Sequence, residues 1–286
     1  MIDLSIIILS FNTEKLTREC IESVVKNTKG ITYEFLVMDN ASKDGSLEML
    51  KKLSQKLPLK LIANKDNIGF GLANNQGMKE ACGRYLLLLN SDTLVKDNVL
   101  GEMVKWMDEN LKVGISSCAL KNKDGSLQRT GGYFPTLFRV FAWMSFLDDI
   151  PLFSKLIKPY HSRSSSSESR DWLTGAYLLI RRRVFEDVGY FDKDYFMYVE
   201  EIDYAYRAKE KGWQVWFLSK WSITHYGGAS GTSGLAAISE YKSLKVFYKK
   251  HYPKWQTCIL RLFLRLGALP RLLFNFKIYA KVFCEA

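Results

Sequence analysis

Short β-branched or leucine-rich runs alternate with helical patterns through residues 1–120, and little freedom of fold is left once that is seen. Parallel strands need a crossover of a dozen or more residues, which a helix supplies, so the alternation specifies βαβ units and a largely parallel sheet. Strands are expected at Leu4–Leu9, Tyr33–Met38, Lys60–Ala63, Tyr85–Leu89 and Val113–Ser117. Helices are expected near Thr17–Asn27, Ser46–Leu57, Leu72–Ala81 and Asn98–Asn110, with Ser46 and Asn98 as N-caps. An open sheet wound in this way binds ligands beyond the carboxyl ends of its strands.

The pattern weakens from Lys121 to Arg170. Asp124-Gly125 is a turn signal, Phe134 to Phe153 is rich in aromatics, and residues 162–169 are polar and low in complexity, as in a mobile loop or lid. Order returns with a strand at Trp172–Ile180, a helix at Ile202–Lys211 ended by Gly212, and a strand at Gln214–Leu218. After Gly234 the sequence reads as helical to its end.

Charge and cysteine usage narrow the function classes. The net charge of +11 invites a nucleic-acid or anionic-membrane reading, yet residues 240–286 hold ten Lys/Arg against two Glu, so the rest is close to neutral. A segregated basic tail argues against nucleic acid. Five widely spaced cysteines without a C-x-x-C pair suggest neither a disulfide framework nor a zinc site, and a reducing compartment fits best. The N-terminus has an acidic residue, Asp3, where a secretion signal needs basic ones, so a cytoplasmic location is expected. The most apolar stretch, Cys258 to Phe276, is interrupted by Arg261, Arg265, Pro270 and Arg271, and no membrane-spanning segment is expected.

Polar residues collect at the carboxyl ends of four expected strands: Ser10-Phe11-Asn12, Asp39-Asn40-Ala41-Ser42, Asn64 with Asn67, and Asn90-Ser91-Asp92. Each cluster alone reads as ordinary turn and cap chemistry. Their coincidence at one sheet edge points to a ligand crevice. Gly69-Phe70-Gly71 lacks the third glycine of a dinucleotide fingerprint, and there is no phosphate loop, G-x-S-x-G elbow or H-E-x-x-H helix. Asp92, delivered by a buried strand, suits a hard divalent cation that takes its remaining oxygens from a substrate diphosphate.

Together these blocks, with Asn67-Ile68-Gly69-Phe70-Gly71-Leu72-Ala73-Asn74-Asn75-Gln76-Gly77 and Leu89-Asn90-Ser91-Asp92-Thr93, resemble the nucleotide-binding half of family 2 glycosyltransferases. Phe196-Met197-Tyr198-Val199-Glu200-Glu201-Ile202-Asp203, Arg207 and His225-Tyr226-Gly227-Gly228-Ala229-Ser230 resemble that family's acceptor half. The resemblance implies an α/β GT-A fold, a Rossmann-like mixed sheet flanked by helices, over residues 1–235: a nucleotide-binding half at 1–120 and an acceptor half at 121–235. Residues 236–286 would follow as a basic helical region.

By that likeness Ser10 and Asn12 lie against the nucleotide, Asp39 reads the base, and Asn67 and Asn75 line the donor pocket. Asp92 holds Mg²⁺ or Mn²⁺ on the diphosphate, with His225 as second ligand, although Asn90 replaces the first acid of the family's D-x-D. The implied activity is inverting transfer of a sugar from a nucleotide diphosphate donor. Gly125 to Pro135 is similar to a segment of the rhamnosyltransferase-like branch, which points to a dTDP- or UDP-sugar donor and to rhamnose.

An attacking hydroxyl must lose a proton, so a carboxylate base is needed on the acceptor side. Glu201 aligns with the family's base, with Glu200 as the alternative, and neighbouring carboxylates raise one another's pKa. The same acids also suit a helix N-terminus, and Asp203 with Arg207 has the spacing of a helix ion pair. Gly175 would let the backbone approach the donor sugar, while Trp172 reads as core. His161 and His251 read as surface residues. Residues 255–283 have the composition of a basic amphipathic helix lying in a membrane interface, which would bring the enzyme to a glycan or lipid-linked acceptor at the inner face of the membrane. A helix packed on the domain with its arginines in water is the alternative for the tail. A catalytically inactive sugar-nucleotide or glycan-binding protein is the alternative for the whole.

Overall fold

The computed structural model describes residues 1–227, 233–273 and 275–285 of the chain. The first half alternates as expected: β1 (Leu4–Ser10), α1 (Glu14–Asn27), β2 (Tyr33–Asp39), α2 (Ser46–Ser54), β3 (Leu59–Ala63), α3 (Phe70–Glu80), β4 (Tyr85–Asn90), β5 (Thr93–Leu94), α4 (Val99–Glu109) and β6 (Val113–Lys121). There follow β7 (Gly131–Gly132), α5 (Leu137–Met144), a 3-10 turn at Leu147–Asp149, α6 (Pro151–Ile157), β8 (Glu168–Ser169), β9 (Trp172–Leu173), β10 (Tyr177–Arg181), α7 (Arg182–Val188), α8 (Glu200–Glu210) and β11 (Gln214–His225). Helices α9 (Ser233–His251), α10 (Lys254–Arg271) and α11 (Phe276–Glu285) lie beyond.

The main sheet runs β3-β2-β1-β4-β10-β6-β11-β5, with β8 on the outer part of β11. Strands β3, β2, β1 and β4 are parallel. Strand β10 enters antiparallel between β4 and β6, so the sheet is mixed. The chain winds outward from β1 to β3 and then returns to the other side of β1 as β4, which makes the carboxyl ends of β1 and β4 the topological switch point. Alternate residues of β1 serve two cores: Leu4, Ile6 and Ile8 pack with Cys20, Ile21, Met103 and Met107 of α1 and α4, while Ile7 packs with Met38 and with Ala73 and Met78 of α3.

Several expectations are corrected. Ser46 is the first residue of α2 rather than its cap: its hydroxyl is buried without a partner, and the Asp44 carboxylate accepts from the Ser46 N–H. Asn98 holds the cap position of α4, but its side-chain oxygen accepts from Lys29 N–H across the turn. The strand expected at Trp172–Ile180 is two, because the chain turns at Thr174–Ala176. Trp172 and Leu173 pair with β7 in a separate small sheet before β10 begins. The strand expected at Gln214–Leu218 continues to His225 through an irregularity between Leu218 and Ser222.

The loop or lid expected within 121–170 contains helix at its centre, α5, the 3-10 turn and α6, since Val140, Ala142 and Met144 give α5 a buried face. The serine-rich run is fixed at its ends, with Ser162 N–H donating to Gly131 and Glu168–Ser169 pairing with β11. Cys20 and Cys118 are buried free thiols, and no helix among the described residues is long and apolar enough to cross a membrane.

Helix α9 packs into the core through Tyr241, Leu244, Phe247 and Tyr248. Its end corrects the reading of His251 as a surface residue: Nε2 lies 2.7 Å from the Asp203 carboxylate, which also accepts from Arg207 at 2.8 Å and from the Tyr195 hydroxyl at 3.3 Å. Asp203 is fully buried, so removing it strands a guanidinium and an imidazole in the interior. Asp203→Ala is expected to lower unfolding stability by about 3 kcal/mol or more, measured by urea denaturation, with the helical circular dichroism signal lost at lower denaturant than in wild type.

Candidate active site

The strand-end polar residues divide into those that shape the crevice and those that face it. Ser10 is fully buried and its hydroxyl is engaged with Thr13 and Thr17, 3.5 and 3.2 Å away, so it fixes the β1–α1 turn rather than presenting a group to a nucleotide. Asn12, in left-handed backbone at φ 54°, accepts from Lys43 N–H at 2.7 Å and donates its own N–H to Ser42, tying the β1 and β2 turns together.

Asp39 accepts from Ser42 N–H through one oxygen, whereas its other oxygen is buried and without a partner. A buried carboxylate oxygen left open at a strand end is a receptor for a donor not supplied by the protein. Asn67 accepts from the Asn40 amide and from Gly69 N–H, and so holds the loop before α3. Both ends of the Asn75 amide bond the backbone of Phe191, at 2.8 and 2.9 Å, fastening α3 to the second half. Gly175 is close to protein, since a Cβ there would stand 2.8 Å from the Phe70 ring.

Antiparallel pairing of Thr93-Leu94 with Thr224-His225 draws the end of β11 against the β4 end. It sets His225 Nε2 3.2 Å from Asp92 Oδ1, with Asp92 buried and its backbone carbonyl accepting from Tyr226 N–H. The other ring nitrogen lies 2.7 Å from Gln128 Oε1. The Gln128 amide nitrogen already donates to His225 O and to Asn122 Oδ1, so its oxygen must be the acceptor toward the ring and Nδ1 carries the hydrogen.

In the neutral ring, Nε2 then presents a lone pair toward a carboxylate oxygen. The Asn90 amide also lies near it, at a long 3.4 Å. Two acceptors held at this distance are a natural seat for a cation, and one carboxylate plus one oriented imidazole is the protein share that Mg²⁺ or Mn²⁺ needs when substrate oxygens complete the shell. Among the described residues no group of three or more His, Cys, Asp or Glu side chains is placed to hold a metal ion.

In the second half, Tyr198 and Val199 both adopt left-handed backbone, at φ 66° and 71°, immediately before α8. For a β-branched residue this is costly, and such strain persists where the surroundings enforce it. It delivers Glu200 and Glu201 as the first residues of α8. Glu200 is buried, its carboxylate against the α3 start near Gly71, and burial reinforced by Glu201 pushes it well above the ordinary carboxylate range. Burial, with the nearby Glu240 carboxylate adding to it, pushes Glu201 up to about 7. Each has one oxygen enclosed and without a partner.

The chain matches the model of Glycosyl transferase family 2 over residues 5–203. The chain belongs to glycosyl transferase family 2. Among relatives of this glycosyltransferase, the N-acetylglucosaminyl-diphospho-decaprenol L-rhamnosyltransferase of Mycobacterium tuberculosis is 25% identical over 248 residues, covering 80% of this chain and 79% of that protein. The rhamnosyltransferase WbbL of Escherichia coli K12 is 27% identical over 228 residues, covering 77% and 82%. The resemblance to the rhamnosyltransferase-like branch is thus borne out. So is the GT-A fold: the Pyrobaculum calidifontis mannosyltransferase PcManGT, solved with GDP-Man and Mn2+, superposes with a TM-score of 0.63 at 16% identity over 98% of this chain and 73% of that one.

Three groups escaped the sequence reading. Gln128, which sets the His225 tautomer, sits inside the Gly125–Pro135 block, and that was the signal available. Glu240 lies on α9 and accepts from the Tyr160 hydroxyl at 3.1 Å and pairs with His161 Nε2 at 2.9 Å, so His161 is not a free surface residue. Val199 carries no pattern that foretells its backbone. Of the His225-to-Ser230 block, Gly228, Ala229 and Ser230 lie outside the described residues.

A carboxyl raised in the folded state contributes stability below its unfolded pKa and loses it as pH rises through about 7. Glu201→Gln is therefore expected to raise the melting temperature at pH 8 by roughly 2–4 °C for each kcal/mol relieved, and to leave it almost unchanged at pH 4. Equal melting temperatures at pH 8 would show that the carboxyl is not raised.

Proposed function

We propose that this glycosyltransferase moves a sugar, rhamnose, from a dTDP- or UDP-linked donor to a glycan or lipid-linked acceptor, with inversion at the anomeric carbon. The observation that carries the reading is the pair of unlike sites the fold builds: Asp92 and an oriented His225 3.2 Å apart at the β4 end, and two buried neighbouring carboxyls at the α8 start, of which Glu201 is pushed up to about 7. In this reading residues 1–120 form the nucleotide-binding half and residues 121–235 the acceptor half. Asp39, with its open buried oxygen, receives a donor hydrogen from the base.

In the transfer, the acceptor hydroxyl oxygen forms the new bond to the anomeric carbon while the bond from that carbon to the diphosphate oxygen breaks. The hydroxyl proton passes to the Glu201 carboxylate, and the nucleoside diphosphate departs with the bonding pair. A base poised near 7 is basic enough to take the proton in the transition state while a substantial fraction of it is still ionised at neutral pH. Glu200 is more deeply enclosed, and the Glu201 carboxylate adds to burial in raising it. Asp92 and His225 would hold Mg²⁺ or Mn²⁺, which supplies neutralisation of the charge developing on the leaving diphosphate. The Mn2+ in the structure of PcManGT supports that assignment. The M. tuberculosis relative is named for a diphospho-decaprenol, which supports a lipid-linked acceptor, and the basic tail would then bring the enzyme to the inner face of the membrane.

Two measurements test this. Thermal stabilisation by dTDP, UDP and GDP is expected to be selective for one base and dependent on Mg²⁺ or Mn²⁺, and to be lost in EDTA and in Asp92→Ala; no response to any diphosphate at saturating metal defeats the reading. Glu201→Gln is expected to cut kcat by roughly 10²–10⁴-fold while retaining that stabilisation, and wild-type kcat/KM is expected to rise with pH through about 7. Donor binding without transfer, even with lipid-linked acceptors supplied, would instead identify a sugar-nucleotide-binding protein.

A further inference from the structure

Large apolar side chains in the second half of the chain are exposed in a pattern that packing does not explain. Phe138 of α5 and Leu152 and Leu156 of α6 are 60%, 69% and 74% exposed. On α10 the residues Leu262, Leu266 and Leu269 form an exposed stripe at helical spacing, on the face opposite to the buried Leu260, Leu264 and Ala268. These two segments are about a hundred residues apart in sequence and adjacent in space. The Phe141 and Phe263 rings lie 5.2 Å apart, and Met144 packs on Gly267. Arg271 is buried between them, donating to Met144 O at 2.6 Å and Trp143 O at 3.0 Å, with its guanidinium 4.1 Å over the Phe146 ring.

We propose that α5, the 3-10 turn, α6 and the outer face of α10 form a single surface that docks on an anionic lipid bilayer. It extends the membrane reading of the basic tail given above, on which it rests, by making the α5–α6 segment an equal part of the contact. Charge selects the occupant. Lys155, Lys158, Arg261 and Arg265 are exposed beside the apolar stripe, while of the acids nearby Asp148 is buried and Asp149 is paired with Arg129. A second copy of the chain, meeting this face across a two-fold axis, would set these cations against their own images. A bilayer bearing anionic headgroups takes both the leucines and the cations.

The chain also connects this surface to the carboxyls at the α8 start. The chain leaving α6 reaches Tyr160, fully buried, and His161, both held by Glu240, whose carboxylate is among those that act on Glu201. A polyprenyl-type acceptor, whose apolar chain stays in the bilayer while its sugar is the nucleophile, would be presented from this side.

Co-sedimentation of the full chain with phosphatidylglycerol-containing vesicles and with pure phosphatidylcholine vesicles tests the proposal. Wild type is expected to bind the former, and less at high salt. Phe138→Glu/Leu156→Glu and Leu262→Glu/Leu266→Glu are each expected to reduce the bound fraction by roughly tenfold or more. Loss in the α10 variant alone, with the α5–α6 variant binding as wild type, overturns the composite surface and leaves the tail reading standing. Full binding by both defeats both. A concentration-dependent dimer of wild type that either variant dissolves, seen by sedimentation velocity without vesicles, assigns the face to a second copy and overturns the proposal. Leu156→Trp guards against a folding defect: its added fluorescence is expected to be quenched by brominated lipid in the vesicles, and an unquenched signal from a folded variant overturns the assignment of α6 to the bilayer.

Discussion

Two backbone residue pairs hold the active edge together. Thr93-Leu94 leaves the end of β4 and pairs with Thr224-His225 at the end of β11, so the last turn of the first half is clamped to the last strand of the second. The ladder is only two residues long, yet it decides the distance between Asp92 and His225, the position of Gln128 behind the ring, and with it the hydrogen on Nδ1. Without that pairing the continuous sheet and the core on each of its faces would still form, but the oxygen and nitrogen that face one another would belong to separate loops.

Around this clamp, polar groups have been committed to different ends. The amides of Asn40, Asn64, Asn67 and Gln76 satisfy one another and set the loop before α3 in place. Asn75 crosses to Phe191 and keeps α3 against the second half. Among the atoms left open are three carboxylate oxygens, one of Asp39 and one each of Glu200 and Glu201. Leaving buried oxygens unpaired and two consecutive residues in left-handed backbone lowers stability, and both features fall at the same crevice.

Much of this was legible in the sequence, for a definite reason. Buried parallel strands are written as uninterrupted apolar runs, so β1, β2, β4 and β6 appear at their expected places within a few residues. Asp92, Glu201 and His225 were legible because the family's blocks carry them. Strand-end amides were less so, since Asn and Ser at a turn look the same whether they bond a ligand, as was expected of Ser10 and Asn75, or bond Thr17 and Phe191. The lone histidines misled for a related reason. His251 and Asp203 are 48 positions apart, as His161 and Glu240 are 79, and a pairing at such range has no local pattern. Residues 137–157 read as irregular because their apolar positions serve two masters, the core through Val140 and Met144 and the exterior through Phe138 and Leu152, which blurs helical periodicity.

Arg271 gives the tail a mechanical character that its composition conceals. A basic amphipathic segment joined by a slack linker would hold an enzyme near a surface while letting it sample many heights. Here a buried guanidinium, bonded to two carbonyls of α5 and stacked on Phe146, locks α10 to the body of the protein. The distance from the exposed leucines to the α8 carboxylates is therefore a constant of the molecule. Were the protein to rest on a bilayer through those leucines, such a standoff would work as a ruler: an acceptor would be measured by how far its reactive hydroxyl projects from that plane, so length would join chemistry as a criterion of choice.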